Sequence, residues 1–132
     1  MNVAVSPDDL AFLERNHSAA MITVGSDGRP KVARVGVALV DGKLWSSGTQ
    51  GRTRTDRLRA DPRCTLYVHD SGFSWVALET DVTILEGEDA PQQNLRLFRI
   101  MQDRPTGPLG WFGGELDEDA FLQTMRDEQR LI

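Results

Sequence analysis

From Thr49 the sequence runs Thr49–Gln50–Gly51–Arg52–Thr53–Arg54–Thr55–Asp56–Arg57–Leu58–Arg59–Ala60–Asp61–Pro62–Arg63. Five of the chain's 15 lysines and arginines fall within the last 12 of these positions. Guanidinium groups at this density suit an oxyanion such as phosphate. Their planar N–H forks meet it bidentately, and a helix start nearby adds backbone amides that point the same way. If the helix opens near Arg52, then at roughly 3.6 residues per turn Arg54 and Arg57 lie about 60° apart while Arg52 and Arg59 face elsewhere. All five arginines therefore cannot serve one ligand. On spacing alone the run also reads as a solvated helix whose arginines pair with Asp56 and Asp61.

Other chemistry finds less support. Cys64 is the single cysteine, and with His17 and His69 as the only histidines there is no zinc or iron constellation and no internal disulfide. The chain has no nucleophile elbow, no paired-carboxylate signature and no glycine-rich loop of the nucleotide-fold kind. His17 follows a helix and reads as a capping or surface residue, Cys64 as inert packing, and Glu79 either as a solvated strand position or as a partner for a neighbouring subunit's arginine. Tyr67, His69 and Trp75 alternate along strands, where packing is the commoner role and flanking a ring the sharper one. The run Trp111–Phe112–Gly113–Gly114 reads either as a loop docked on the body or as a lid.

The net charge of −5 argues against general binding to a nucleic-acid backbone. Glu115, Asp117, Glu118, Asp119, Asp127 and Glu128 make the C-terminal segment acidic, so the arginine run is a local basic site in an acidic protein. The longest apolar run, Val35 to Val40, is too short to cross a bilayer, and Met1–Asn2–Val3 lacks signal-peptide character. These features lead us to expect a cytoplasmic protein without a membrane partner. At 132 residues and 39% apolar composition, residues 1–132 are expected to form a single domain.

The elements that must carry the arginine run are set by local signals. Ser6–Pro7–Asp8–Asp9 starts a helix that fades near Asn16–His17. Ala19 to Val24 and Lys31 to Val40 read as strands joined by the turn Ser26 to Pro30, and Asp41–Gly42 turns the chain into a third strand, Lys43 to Ser47. Arg52 to Ala60 reads as a short helix ended by Asp61–Pro62. Strands come next at Arg63 to Asp70 and Ser74 to Glu86. Helical periodicity returns at Ala90 to Gln102 and Glu118 to Arg130, with a loop from Arg104 to Gly114 between them. Five antiparallel strands with appended helices predict a mainly β fold of the small-barrel kind.

Taken in order, Gly28–Arg29–Pro30, the hairpin, Thr49, Arg52–Thr53–Arg54, the motif Leu58–Arg59–Ala60–Asp61–Pro62–Arg63 and the strand through Trp75 and Glu79 resemble the pyridoxamine-phosphate-oxidase-like proteins. Within them the chain is most similar to the deazaflavin-dependent branch. The resemblance spans roughly residues 8 to 130 in element order, and its specific part is Arg52 to Arg63. It implies an antiparallel split β-barrel of the FMN-binding kind, a homodimer with its two cofactor sites in grooves between subunits, and either the deazaflavin coenzyme F420 or FMN as cofactor. By position, Arg52 and Arg54 would contact phosphate, and Thr49, Gln50 and Gly51 would approach the ring or ribityl chain through backbone groups. Lys31, Val32 and Arg34 would line the ring or the tail. The family usually has lysine at Arg54, asparagine at Arg57 and glycine near Thr80. Relatives also add a barrel strand beyond the position of Ile132, so the resemblance implies either a shortened barrel or a truncated chain.

In such proteins the cofactor carries the redox chemistry while the protein binds, orients and shields it. The expected activity is hydride transfer between F420 and a small unsaturated or conjugated organic substrate. F420 is preferred because the resemblance is strongest to the deazaflavin-dependent branch and because the charges near Lys31 and Arg34 suit an acidic tail that FMN lacks. The alternatives are an FMN-dependent oxidoreductase and a carrier that binds flavin or deazaflavin without turnover.

Overall fold

Ser6 and Pro7 start the first helix as their order predicts. α1 spans Pro7–Arg15, and the Ser6 hydroxyl accepts from the Asp9 amide at 3.2 Å. The computed structural model describes residues 5–49, 52–128 and 130–131. α1 buries Phe12 and Leu13 and ends at Asn16, whose side chain donates to the Phe12 carbonyl at 2.9 Å.

β1 (Ser18–Val24) and β2 (Pro30–Gly36) form the expected antiparallel hairpin, with Gly28 at φ 78 in its turn. The strand expected to continue to Val40 breaks at Val37. Its amide turns to the His17 carbonyl at 2.9 Å, and β3 (Ala38–Val40) leaves to pair with β4 (Lys43–Trp45). Asp41 and Gly42 both take positive φ, 52 and 78, in the tight turn that an Asp-Gly pair favours. β5 (Gly48–Thr49), α2 (Thr53–Ala60), β6 (Arg63–His69) and β7 (Trp75–Asp81) come next.

One antiparallel sheet has the order β2-β1-β6-β7, and β3 with β4 forms a separate ladder. β7 stops at Asp81, short of the expected Glu86, because Asp81 lies opposite Arg63, the first residue of β6. Pro62 before it has no N–H to offer, and its carbonyl takes the Val82 amide at 2.8 Å as the last bond. Side chains alternate across the sheet. Ala19, Met21, Val35, Leu66, Val68 and Leu78 turn inward onto Leu13 and Leu58, while Val32, Tyr67 and Trp75 stay exposed on the other face.

α3 spans Ala90–Gln102, matching its periodicity, and α4 spans Glu118–Asp127. The segment expected as a loop between them holds a hairpin, β8 (Leu109–Trp111) and β9 (Gly114–Leu116), turned by Phe112 and Gly113 at φ 44 and 82. Trp111 docks against Phe121 with ring centroids 5.8 Å apart, so the indole packs on the helices instead of forming a mobile cover. Burying Phe121 completely contributes about 2–3 kcal/mol of hydrophobic stabilisation.

The last helix ends at Asp127 and not at Arg130, because main-chain pairing captures Arg130 and Leu131. They form β10 (Arg130–Leu131), antiparallel to β5, with Arg130 opposite Thr49 and Leu131 opposite Gly48. Among the described residues no helix is long and apolar enough to cross a membrane.

Candidate functional site

The start of α2 is fastened to β5 by its own side chains. The Thr55 hydroxyl, buried, donates to the Thr49 carbonyl at 2.9 Å, and Arg52 Nε donates to the Thr49 hydroxyl at 3.1 Å. Arg52 occupies the cap position in extended conformation and makes no side-chain cap hydrogen bond. The positive end of the helix therefore sits among arginines, with an arginine at the cap position and Asp56 as the one acidic residue of the first turn.

The five arginines divide sharply. Arg59 pairs with Glu86 at 2.6 Å and Arg63 with Asp61 at 2.8 Å, so both already have a carboxylate partner at the surface. Arg57 donates to the Thr23 hydroxyl at 3.3 Å, tying the helix to β1. Arg54 is half-buried and has neither a carboxylate nor a hydrogen-bond partner among the described residues. Burial first, then repulsion from Arg52, Arg130 and Arg57, holds its guanidinium below the usual arginine range. It stays charged nonetheless, because arginine does not deprotonate in proteins. A charge so placed lacks the negative group that would offset its desolvation.

Gly48 makes the room. A Cβ at this position would stand 2.9 Å from Arg54 Nη2. Arg54 and Gly48 border a cavity of about 270 Å³ between β4, α2 and the segment after β7, with Met21, Leu58 and Leu66 in its apolar wall. Ser47 lines the same cavity, and its hydroxyl oxygen is buried without a partner among the described residues. A cationic rim, an orphaned hydroxyl and an apolar wall fit a ligand with one anionic end and a flat or apolar body.

Of the residues singled out from sequence, Thr49, Arg52 and Arg54 come together here, whereas Gln50 and Gly51 lie outside the described residues. Lys31 forms an ion pair with Asp27 at 3.0 Å beside the hairpin turn. Val32 and Arg34 point to the exposed face of the four-stranded sheet, where Val32 is 68% exposed. Arg34, Ala20 and Tyr67 stand in one cross-strand row, so Arg34 and Tyr67 are two strands, about 10 Å, apart. Tyr67 stacks on Trp75 with centroids 5.5 Å apart, which gives that face an aromatic surface. A second, more open hollow of about 720 Å³ at the strand ends is lined by Thr23, Arg63, Thr65 and Glu79, and contains none of the expected cofactor residues.

His17 and Cys64 have structural roles. His17 Nδ1 donates to the Val37 carbonyl at 3.0 Å, and Cys64 is buried, its thiol pushed up by that burial. Sequence reasoning missed Gly48, Ser47 and Arg130. For Gly48 a signal was available, a glycine beside a cation-rich helix start, whereas Arg130 reads from sequence as the end of a helix.

The sequence model of the pyridoxamine 5′-phosphate oxidase family matches residues 7–109. No curated protein matches the chain significantly. Among solved structures, a conserved hypothetical protein from Mycobacterium tuberculosis is similar at TM-score 0.71 and 22% identity, over 98% of this chain and 79% of that one. A protein described as an F420 reductase gives TM-score 0.63 at 18% identity, over 98% and 90% of the two chains. An FAD-binding protein from Mesorhizobium loti gives TM-score 0.54 at 21% identity, over 75% and 76%. At these identities the likeness speaks for the fold: a mainly antiparallel split barrel, with four helices among the described residues.

Proposed function

The chain belongs to the pyridoxamine 5′-phosphate oxidase family, and on that premise we propose that it is an oxidoreductase holding a flavin-type cofactor by its phosphate at Arg52 and Arg54. The preferred cofactor is the deazaflavin F420, with FMN as the alternative. The observation that carries the reading is Arg54: a half-buried guanidinium at the rim of an apolar cavity, with no anion to meet it among the described residues.

The residues fit such a group. Arg52 and Arg54 supply forked donors for phosphate oxygens, and Gly48 lets the Arg54 guanidinium lie against the backbone. The Ser47 hydroxyl, unpartnered among the described residues beside the cavity, is a further donor for such a group. By the family resemblance Thr49, Gln50 and Gly51 would approach the cofactor's ring or ribityl chain through backbone groups. When bound, the cofactor supplies the hydride for a small unsaturated or conjugated organic substrate. With the cofactor bound there, the apolar wall of Met21, Leu58 and Leu66 would exclude water and the arginines would hold the anionic end.

Arg34 and Val32 support a site shared between two copies. They lie on an exposed sheet face together with Tyr67 and Trp75, and that face buries best against a second copy of the chain. The Lys31–Asp27 pair is exposed, and pairs of this kind are worth about 0–1 kcal/mol, so Lys31 can exchange Asp27 for an acidic tail.

The test is a fluorescence titration of the purified protein with FMN and with F420, repeated on Arg54→Ala. Binding of F420 more tightly than FMN, weakened about tenfold or more by the substitution, is the expected result. An affinity unchanged in Arg54→Ala would remove the phosphate role, and binding without oxidation of reduced cofactor by any acceptor would make the protein a carrier.

A further inference from the structure

The acidic C-terminal segment delivers a cation to the same place. Antiparallel pairing sets Arg130 opposite Thr49, the residue whose carbonyl and hydroxyl hold Thr55 and Arg52. The strand is fastened from behind by Asn94 of α3, fully buried, whose Nδ2 donates to the Ala90 carbonyl at 3.0 Å and reaches the Arg130 carbonyl at 3.5 Å. The Arg130 side chain is 14% exposed and lies over the Trp111 ring at 5.1 Å. Its Nε and Nη2 donate to Glu128 Oε1 at 3.0 and 2.9 Å.

The charges do not balance. Arg52, Arg54, Arg57 and Arg130 gather at the junction of β5 and α2, and among the described residues Glu128 is the carboxylate that touches any of them. Arg130 also counts among the cations whose repulsion Arg54 feels. A guanidinium kept for packing alone would be cheaper away from another half-buried cation. Setting four together is sensible where an anion enters and offsets them.

Resting on the reading of Arg52 and Arg54 as a phosphate site, we propose that Arg130 is a further binding residue of that site, brought to it by the C-terminal strand. Glu128 is its internal counter-ion and competes with the ligand's phosphate-type oxyanion for the same guanidinium. The ligand end must therefore carry enough negative charge to displace or share Arg130 from one carboxylate.

Inorganic phosphate is the probe, because its binding reads the anion site without the ring. Its affinity for the full chain is measured by chemical-shift titration at fixed ionic strength, for the wild type and for Arg54→Ala, Arg130→Gln, Arg130→Lys and Glu128→Gln, alongside FMN and F420 titrations. Arg130→Gln is expected to weaken phosphate binding about tenfold, and Arg130→Lys less, since a point charge keeps the attraction and loses the fork. Glu128→Gln is isosteric and is expected to tighten binding roughly threefold by freeing Arg130, so the proposal stays testable even if Arg130→Gln unfolds.

Binding that is lost in Arg54→Ala but unchanged in both Arg130→Gln and Glu128→Gln overturns the role of Arg130 and leaves the cofactor reading in place. Phosphate binding that depends on Arg130, in a protein that takes up neither FMN nor F420, overturns the cofactor reading alone. A wild type that binds no phosphate overturns the anion site and the proposal with it.

Discussion

Gly48→Ala separates the position of Arg54 from its charge. The added Cβ would stand 2.9 Å from Arg54 Nη2 and 3.9 Å from both Arg54 Cζ and the Thr55 hydroxyl oxygen. Ordinary contact lies near 3.5 Å, so the guanidinium must withdraw by about 0.6 Å. The obstructing atom is the far end of a flexible side chain, and Gly48 is not among the glycines at positive φ, so the backbone accepts alanine. Alanine also narrows the unfolded ensemble, worth about 0.4–1 kcal/mol in favour of the folded state. The melting temperature should therefore hold or rise slightly. Affinity should not hold. A hydrogen bond to a charged group is worth about 1.5–3 kcal/mol, and losing roughly half of it by misplacement weakens Kd about fourfold to twelvefold. Fluorescence titration with FMN and F420 measures the affinity, and circular dichroism measures the melt. An unchanged Kd refutes the claim that Gly48 exists to seat Arg54. A melt lowered by several degrees would mean instead that the Cβ meets something that cannot yield.

Phe121 fills the contact between α3, α4 and the β8–β9 hairpin at 0% exposure, so Phe121→Ala should cost about 3–5 kcal/mol in urea unfolding, and a loss under 1 kcal/mol would show that region to be loosely packed. Asp61 accepts from the Arg63 side chain first and its amide second, which lowers its carboxyl from 3.8 to about 2. That stabilisation is fully present above pH 3.8 and disappears as pH falls through about 2, so Asp61→Asn should flatten the stability curve in that window. An NMR titration of Asp61 at an ordinary carboxyl value would reject the ion pair. Val32→Glu, on the exposed face beside Arg34, should leave the melt of the protomer intact and, if two copies pair through this face as proposed, lower the mass read by light scattering relative to the wild type; an unchanged mass would put any dimer contact elsewhere.

Local chemistry was legible wherever one residue decides one torsion or one cap. Ser6–Pro7 set the start of α1, Asp41–Gly42 set the turn between β3 and β4, and the 3.6-residue period of Ala90 to Gln102 gave α3 to the residue. What could not be read depends on partners distant in sequence. β7 ends at Asp81 because β6 begins at Arg63, although Val82 and Ile84 continue the alternation and still pack on the core. Helical periodicity likewise runs to Arg130, yet the open edge of β5 and the amide of Asn94 draw that residue into a strand. Trp111 to Gly114 carries enough glycine to look like a loop, and positive φ at Phe112 and Gly113 makes it a hairpin instead.

The candidate site was half legible for the same reason. Charge density pointed to Arg52 to Arg63, but density alone does not say which arginines are already satisfied. Glu86 removes Arg59 and Asp61 removes Arg63, the first from 27 residues away and the second from two. What remains at Arg54 departs, among the described residues, from the rule that a half-buried charge meets an opposite charge or a hydrogen-bond acceptor. Folded proteins break such rules mainly at functional sites, where the missing partner arrives as ligand. The arginine that the described residues leave unpartnered is thus a stronger pointer than the run of five in which it sits, and the glycine that accommodates it indicates that the backbone is shaped around that charge.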